Sequence, residues 1–290
     1  MKKKRSKKYI AALCTAIAAR LILILSLVIL AAWGNVALTV TSVGVSGERV
    51  SEALRGFRIA HVSDLHNAEF GKGNKKLLQA IAENAPNIIA ITGDLVDSRR
   101  TDTGVALDFV REAGKIAPVY YAAGNHEARL SQYGAFANDM RALGVTVLED
   151  EAVRLEFGGA SVVIAGLADP DFTVKNGSDG EVAAAVRQKL SEIVNPENGY
   201  TILLSHRPEL FETYAACGVD LVLCGHAHGG QVRLPWIGGV VAPNQGLFPK
   251  YDAGLYTSEN TNMVVSRGLG NSMIPLRINN RPELVVIELE

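Results

Sequence analysis

The sequence predicts an α/β layered sandwich that follows an N-terminal transmembrane helix, and three observations carry that prediction. Short apolar runs rich in β-branched residues recur along the chain, amphipathic stretches lie between several of them, and a long charge-free segment stands directly behind a basic cluster. With 290 residues, 48% of them hydrophobic, the chain can bury a large core, which excludes a disordered protein. A formal net charge of −1 argues against a nucleic-acid partner. Three cysteines, Cys14, Cys217 and Cys224, show no CxxC spacing, so neither a disulfide framework nor a cysteine zinc site is indicated.

The first eight residues hold Lys2, Lys3, Lys4, Arg5, Lys7 and Lys8, and no charged residue occurs from 21 to 47. A bilayer needs roughly 20 apolar residues for a helical span. An arginine at mid-membrane costs about 2.5–3.5 kcal/mol on insertion scales, so Arg20 marks the inner edge of the expected span. The expected organisation is a basic cytoplasmic N-terminus at 1–20, a transmembrane anchor at 21–43, a linker at 44–56 and a catalytic domain at 57–290. The positive-inside rule places that domain outside the cytoplasm, as part of a single-pass cell-membrane protein. A cleaved signal peptide, cut near Ala31 and Ala32, is the competing reading.

Beyond the linker, residues 57–63, 87–92, 119–123, 161–166, 200–204 and 219–224 read as buried strands. Stretches 74–84, 105–115 and 131–143 read as amphipathic helices, the first and last opening on residues suited to N-caps. Later strand candidates at 231–234, 263–266 and 284–289 follow one another without clear helices between, which predicts a second sheet packed on the first.

Five of the early and middle strands run straight into a polar cluster: SDLH, TGDLVD, GNHE, SHRP and CGHAHGG. In open α/β sheets the carboxyl edge is where ligands bind, so the five clusters converge if the sheet forms as read. Five of the six histidines, His66, His126, His206, His226 and His228, lie in them; His61 sits inside a strand and reads as a core residue. Carboxylates, imidazoles and one amide suit divalent ions such as Mn, Fe or Zn. Alternation in an extended segment would aim Asp64 with His66, and His226 with His228, at one cleft. Asp94 could bridge two ions through its two carboxylate oxygens.

In their order, DLH, GDLVD, GNHE, SHRP and GHAHGGQ resemble the five motifs of the calcineurin-like metallophosphoesterases, over roughly residues 57–290. The resemblance implies a four-layer αββα sandwich with two mixed β-sheets flanked by helices. It implies two divalent metal ions per chain, with Asp64, His66, Asp94 and His228 holding one and Asp94, Asn125, His206 and His226 the other. His126, adjoining Asn125, would steady the phosphoryl oxygen or protonate the leaving group. The stretch SRGLGNS…PLRINNRPE and the expected anchor further resemble a bacterial membrane-associated branch of the family.

Two adjacent ions clamp phosphate oxygens and acidify a bridging water, so the expected reaction is hydrolysis of a phosphate ester by direct hydroxide attack. No GxSxG elbow or GxxxxGK[ST] loop competes. A phosphodiesterase is the leading expectation and a pyrophosphohydrolase of a nucleotide-linked lipid the alternative, with a lipid-linked or envelope substrate suggested by proximity alone. A non-catalytic binding module is disfavoured because every motif position is intact, and a mononuclear hydrolase because seven ligands exceed what one ion needs. Asp97 and Glu127 are candidates for orienting ligands; Asn67, Arg207, Gln231, Arg233 and Arg267 are candidates for touching phosphate, each with a structural role equally open. Gly225, Gly229 and Gly230 read as turn residues, and 169–180 as a polar loop bordering the substrate. Oligomeric state is not legible.

Overall fold

The computed structural model describes residues 2–271 and 276–290, with side chains from residue 12 onward except 27–32. Its elements in chain order are α1 (Lys2–Val36), β1 (Thr39–Val45), β2 (Arg58–Val62), α2 (Lys75–Glu83), β3 (Ile88–Thr92), α3 (Gly104–Ala113), β4 (Val119–Ala122), α4 (Tyr133–Ala142), β5 (Thr146–Val147), β6 (Glu151–Phe157), β7 (Ala160–Gly166), α5 (Asp179–Ile193), β8 (Tyr200–Leu204), α6 (Phe211–Ala216), β9 (Leu221–Cys224), β10 (Gly254–Ser258), β11 (Thr261–Val265) and β12 (Glu283–Leu289). The strands form two six-stranded mixed sheets, ordered β1-β12-β2-β3-β4-β5 and β10-β11-β9-β8-β7-β6.

Alternation along the central strands builds the layers. In β3, Ile88 and Ala90 point to the core between the sheets, where they join Ile164, Ile202, Leu204 and Leu223. Ile89 and Ile91 point the other way, onto Leu77 and Ile81 of α2, Phe109 of α3 and Phe136 of α4. The second sheet repeats the arrangement, with Leu203 and Val222 facing Val186 and Leu190 of α5 and Phe211 and Tyr214 of α6. A strand apolar on both faces must be covered on both, and the result is helices outside and two sheets inside. Fully burying each such Ile or Leu stabilises by roughly 1.5–3 kcal/mol.

The first six strand expectations fall on β2, β3, β4, β7, β8 and β9, and the last two on β11 and β12. The candidate at 231–234 does not join either sheet: Arg233 and Leu234 pair with Gly239 and Gly238 in a small hairpin, and Val232 makes a single bridge with Ile278. The helix at 133–142 is preceded by Gln132 rather than Ser131, and Asn74 accepts from Phe70 N at 2.9 Å instead of capping α2.

The N-terminal expectation is corrected. Among the described residues no helix is long and apolar enough to cross a membrane. The charge-free stretch divides in two: helix α1 ends at Val36, and Thr39–Val45 becomes β1, paired in parallel with β12 from Thr39 opposite Glu283 to Val45 opposite Leu289. The uncharged helical run, 21–36, is therefore about 24 Å long, short of the roughly 30 Å hydrocarbon core. The transmembrane element of the fold, and the single-pass localisation with an extracytoplasmic domain, fall with it. Ala31 and Ala32, and 272–275 of the C-terminal stretch, lie outside the residues whose side chains are described.

Candidate metal centre

Strands β2, β3 and β4 are parallel neighbours in one sheet and β8 and β9 in the other, so all five motif clusters leave the sandwich at one edge. Convergence comes from turns and not from extended alternation. Strand β2 stops at Val62 and β9 at Cys224, and Asp64, His66, Asp94, His226 and His228 all have left-handed backbones, with φ of 53°, 46°, 53°, 66° and 48°. Each such non-glycine residue costs about 1–2 kcal/mol. Hydrogen bonds between the loops hold the strained backbone: Asp64 N donates to Gly93 O at 3.1 Å, His66 N to Asp94 O at 2.9 Å, His126 N to Asp94 Oδ1 at 2.8 Å and His226 N to Asp64 Oδ2 at 3.1 Å. Gly225 permits this closeness, since a Cβ there would collide with Ser63 Oγ and Asp64 Oδ2.

The eight side chains expected at the site are brought together, each no more than 6% exposed. On one side His228 Nε2 lies 3.3 Å from Asp64 Oδ1 and 3.3 Å from His66 Nε2. On the other, His206 Nε2 lies 3.2 Å from Asp94 Oδ2 and 3.1 Å from Asn125 Oδ1. His66 Nε2 stands 3.6 Å from Asp94 Oδ2, between the two groups. Ligand atoms of Asp64, His66 and His228, of His66, Asp94 and His126, and of Asp94, His206 and His226 each cluster within 4.8 Å.

This donor set fits a cation better than it fits itself. His206 Nδ1 lies 2.6 Å from the Thr92 carbonyl, which can only accept, so the neutral ring turns the lone pair of Nε2 toward Asp94 and Asn125. Acceptor then faces acceptor. Turned about its amide, Asn125 would donate to His226 Nδ1 at 3.0 Å and to His206 Nε2 at 3.1 Å and accept from Arg129 at 3.1 Å. Protein partners alone favour that turned amide, whereas a cation favours the oxygen facing inward. Electrostatics carry the same message: burial opposes charge on His206, yet the Asp94 carboxylate, its hydrogen bond and Asp64 outweigh it and raise the ring to about 10. Burial also opposes the charge of Asp94, but His206 and His66 hold it well below the usual carboxylate range. The carboxylates demand positive charge that only a proton or a metal can supply.

His126 faces the cluster from the loop after β4, its ring 4.5 Å from that of His66. Ser98 N donates to its Nδ1 at 3.0 Å, which leaves the proton of a neutral ring on Nε2. Asp97 Oδ1 stands 3.5 Å from the same nitrogen but is engaged by Arg99 Nε at 2.9 Å. The fully buried Glu127 accepts from Asp94 N at 2.7 Å, Gly124 N at 2.9 Å and Val96 N at 3.1 Å, so it ties the GNHE loop to the GDLVD loop. Burial and the nearby Asp94 push its carboxyl up to about 7.

The five phosphate-contact candidates are all engaged elsewhere. Asn67 Nδ2 donates to Arg100 O at 2.8 Å, Gln231 Nε2 to Leu276 O at 2.7 Å, Arg233 to Asp252 at 3.0 Å and Arg267 to Glu283 at 2.7 Å. Arg207 borders the cavity beside the cluster, but Asp169 grips it twice, at 2.6 and 2.7 Å, and Asp171 once at 2.9 Å. The 169–180 stretch does line that cavity, together with Arg129. Arg129 was missed by motif reading; its place two residues after Glu127 was the only available signal.

A mixed α/β sandwich with buried carboxylates, imidazoles and an amide converging at one sheet edge defines the class: a metal-dependent phosphoric ester hydrolase. The sequence profile of the calcineurin-like phosphoesterases matches residues 57–230, and the chain belongs to that family. It is 28% identical over 256 residues to a Bacillus subtilis (strain 168) protein named uncharacterized metallophosphoesterase YkuE, covering 85% of this chain and 83% of that one. It is 29% identical over 239 residues to the Escherichia coli (strain K12) phosphodiesterase YaeI, covering 80% and 82%. Among solved structures, TT1561 of Thermus thermophilus matches the fold with a TM-score of 0.50 at 14% identity, over 73% of this chain and 90% of that one.

Proposed function

We propose that the protein is a binuclear phosphodiesterase in which Asp64, His66, Asp94 and His228 hold one divalent ion, Asp94, Asn125, His206 and His226 hold the other, and His126 acts on the substrate. The observation that carries this reading is the burial of His206 Nε2 with Asn125 Oδ1 and Asp94 Oδ2 at 3.1 and 3.2 Å, beside a second cluster of Asp64, His66 and His228, a donor set whose negative charge a proton or a metal must balance. Mn, Zn and Fe all suit the donor set. When bound, the ions supply Lewis-acid stabilisation of phosphate oxygens and a water acidified to near neutrality. The name of the E. coli relative, a phosphodiesterase, favours a diester substrate.

The chain's own residues divide the remaining work. Asp64 and Asp94 neutralise cation charge in a buried site, and the Thr92 carbonyl fixes the ring of His206 so that its Nε2 points inward. Ser98 donates to His126 Nδ1, which puts the proton of a neutral ring on Nε2, the nitrogen that would donate toward the phosphoryl group or the leaving oxygen. His126→Ala tests this: turnover falls by roughly 10²–10⁴-fold while both ions stay bound. The loss shrinks for nitrophenolate leaving groups if His126 protonates the leaving oxygen. Loss of an ion along with activity would make His126 a ligand and overturn the assignment at that position.

A further inference from the structure

The cavity beside the cluster has a volume of about 710 Å³, within the range that holds a substantial organic ligand. Asp94, Asn125, His126, His226 and His228 reach it at the inner end. Outward its walls are mixed: Pro170, Val174, Val182, Ala183, Leu210 and Pro243 supply apolar surface beside the uncharged polar side chains of Asn176, Thr213 and Asn244. The cations at its border are spoken for, Arg207 by Asp169 and Asp171, and Arg129 by Asp171 at 3.0 Å. Asp179 and Glu209 add further acidic groups. Even the amino end of α5, which could attract an anion, is closed by its own capping box, in which Glu181 accepts from Ser178 N at 2.8 Å.

We propose that this cavity is the leaving-group subsite and that it takes an uncharged, apolar alcohol, so that the scissile phosphate is the one anionic group the site accommodates. The proposal rests on the phosphoesterase reading. A second phosphate or a carboxylate on the leaving group would have to enter walls whose arginines are already paired with aspartates and whose other outer ionisable groups are acidic, and it would lose its hydration there without gaining a cationic partner. An alkyl or aryl group instead gains up to roughly fourfold in transition-state binding for every methylene the wall covers. The reaction is simple hydrolysis: water oxygen bonds to phosphorus, the phosphorus–oxygen bond to the alcohol breaks, and the alcohol leaves with a proton.

Methyl aryl phosphates of 4-acylphenols test this, because the para ketone keeps the phenols matched in acidity while the acyl tail varies. With the Mn-loaded protein, the valeryl ester is expected to exceed the acetyl ester in kcat/KM by roughly tenfold or more, and an ester whose tail ends in a carboxylate to fall below the acetyl ester by roughly tenfold. Val174→Asp and Val182→Asp, both at half-buried positions, should each shrink the valeryl-to-acetyl ratio to near unity, with circular dichroism confirming the fold. Calorimetric binding of free 4-hydroxyvalerophenone, but not its carboxylate-ended analogue, checks the subsite without turnover. Equal or faster hydrolysis of the carboxylate-ended ester, or a ratio unmoved by both variants, overturns the subsite. Failure to hydrolyse any of the esters while the ketone still binds would instead overturn the phosphoesterase reading.

Discussion

The two sides of the metal cluster are built alike in front and differently behind. Behind His206 stands the Thr92 carbonyl, an acceptor that raises the basicity of the ring, and behind Asp94 the three-armed clamp of Glu127. Behind His228 stands a cation: Arg277, 1% exposed, places Nη2 3.4 Å from His228 Nδ1 and spends its other donors on Asn271 Oδ1 and the carbonyls of Arg267 and Gly270. Burial pulls this guanidinium down to about 10, against the attraction of Asp64. Nδ1 of His66, on the same side, is buried without a hydrogen-bond partner among the described residues. A side backed by acceptors is prepared for a cation, and a side backed by a guanidinium repels one. On the proposed assignment, the ion shared by Asp94, Asn125, His206 and His226 is therefore the tighter, and the ion of Asp64, His66 and His228 the more exchangeable.

Substitutions at five positions break or sharpen that contrast. Asp94→Asn removes the charge common to both sides and should lower kcat/KM by at least about 10³-fold, roughly 4 kcal/mol, with loss of metal measured on folded protein. His206→Ala and His228→Ala should separate the sides: metal analysis should find the first short of both ions and the second still holding one. Glu127→Ala strands three buried backbone N–H groups and should destabilise the protein by roughly 3 kcal/mol in denaturant unfolding, with Glu127→Gln less severe. Arg277→Gln, the mildest, should tighten the weaker ion by roughly tenfold or less in competition with a chelator, at some cost in melting temperature.

The half of the site made of side chains that follow strands was legible in the sequence, because a strand ending in Asp, His or Asn announces both its place and its chemistry. Asp64, Asp94, Asn125, His206 and His226 all stand within three residues of a strand end. What lies behind them was not legible. Ser98 reaches His126, and Arg277 reaches His228 across 49 positions, through loops whose course no periodicity encodes. The turns themselves were misread as extended, since left-handed backbone at Asp64 or His228 is imposed by bonds between loops and has no local signature. Strand β1 was hidden for another reason: TVTSVGV continues an apolar stretch, and only its pairing with β12 shows that it belongs to the sheet.

Calorimetric titration of the metal-free protein with Mn²⁺, with metal analysis of the product, tests the central claim most directly. A binuclear centre of unequal sides predicts two equivalents per chain in two resolved steps, the weaker of which disappears in His228→Ala while the tighter remains. A single equivalent in the unaltered protein, or two equivalents that survive Asp94→Asn, would contradict it.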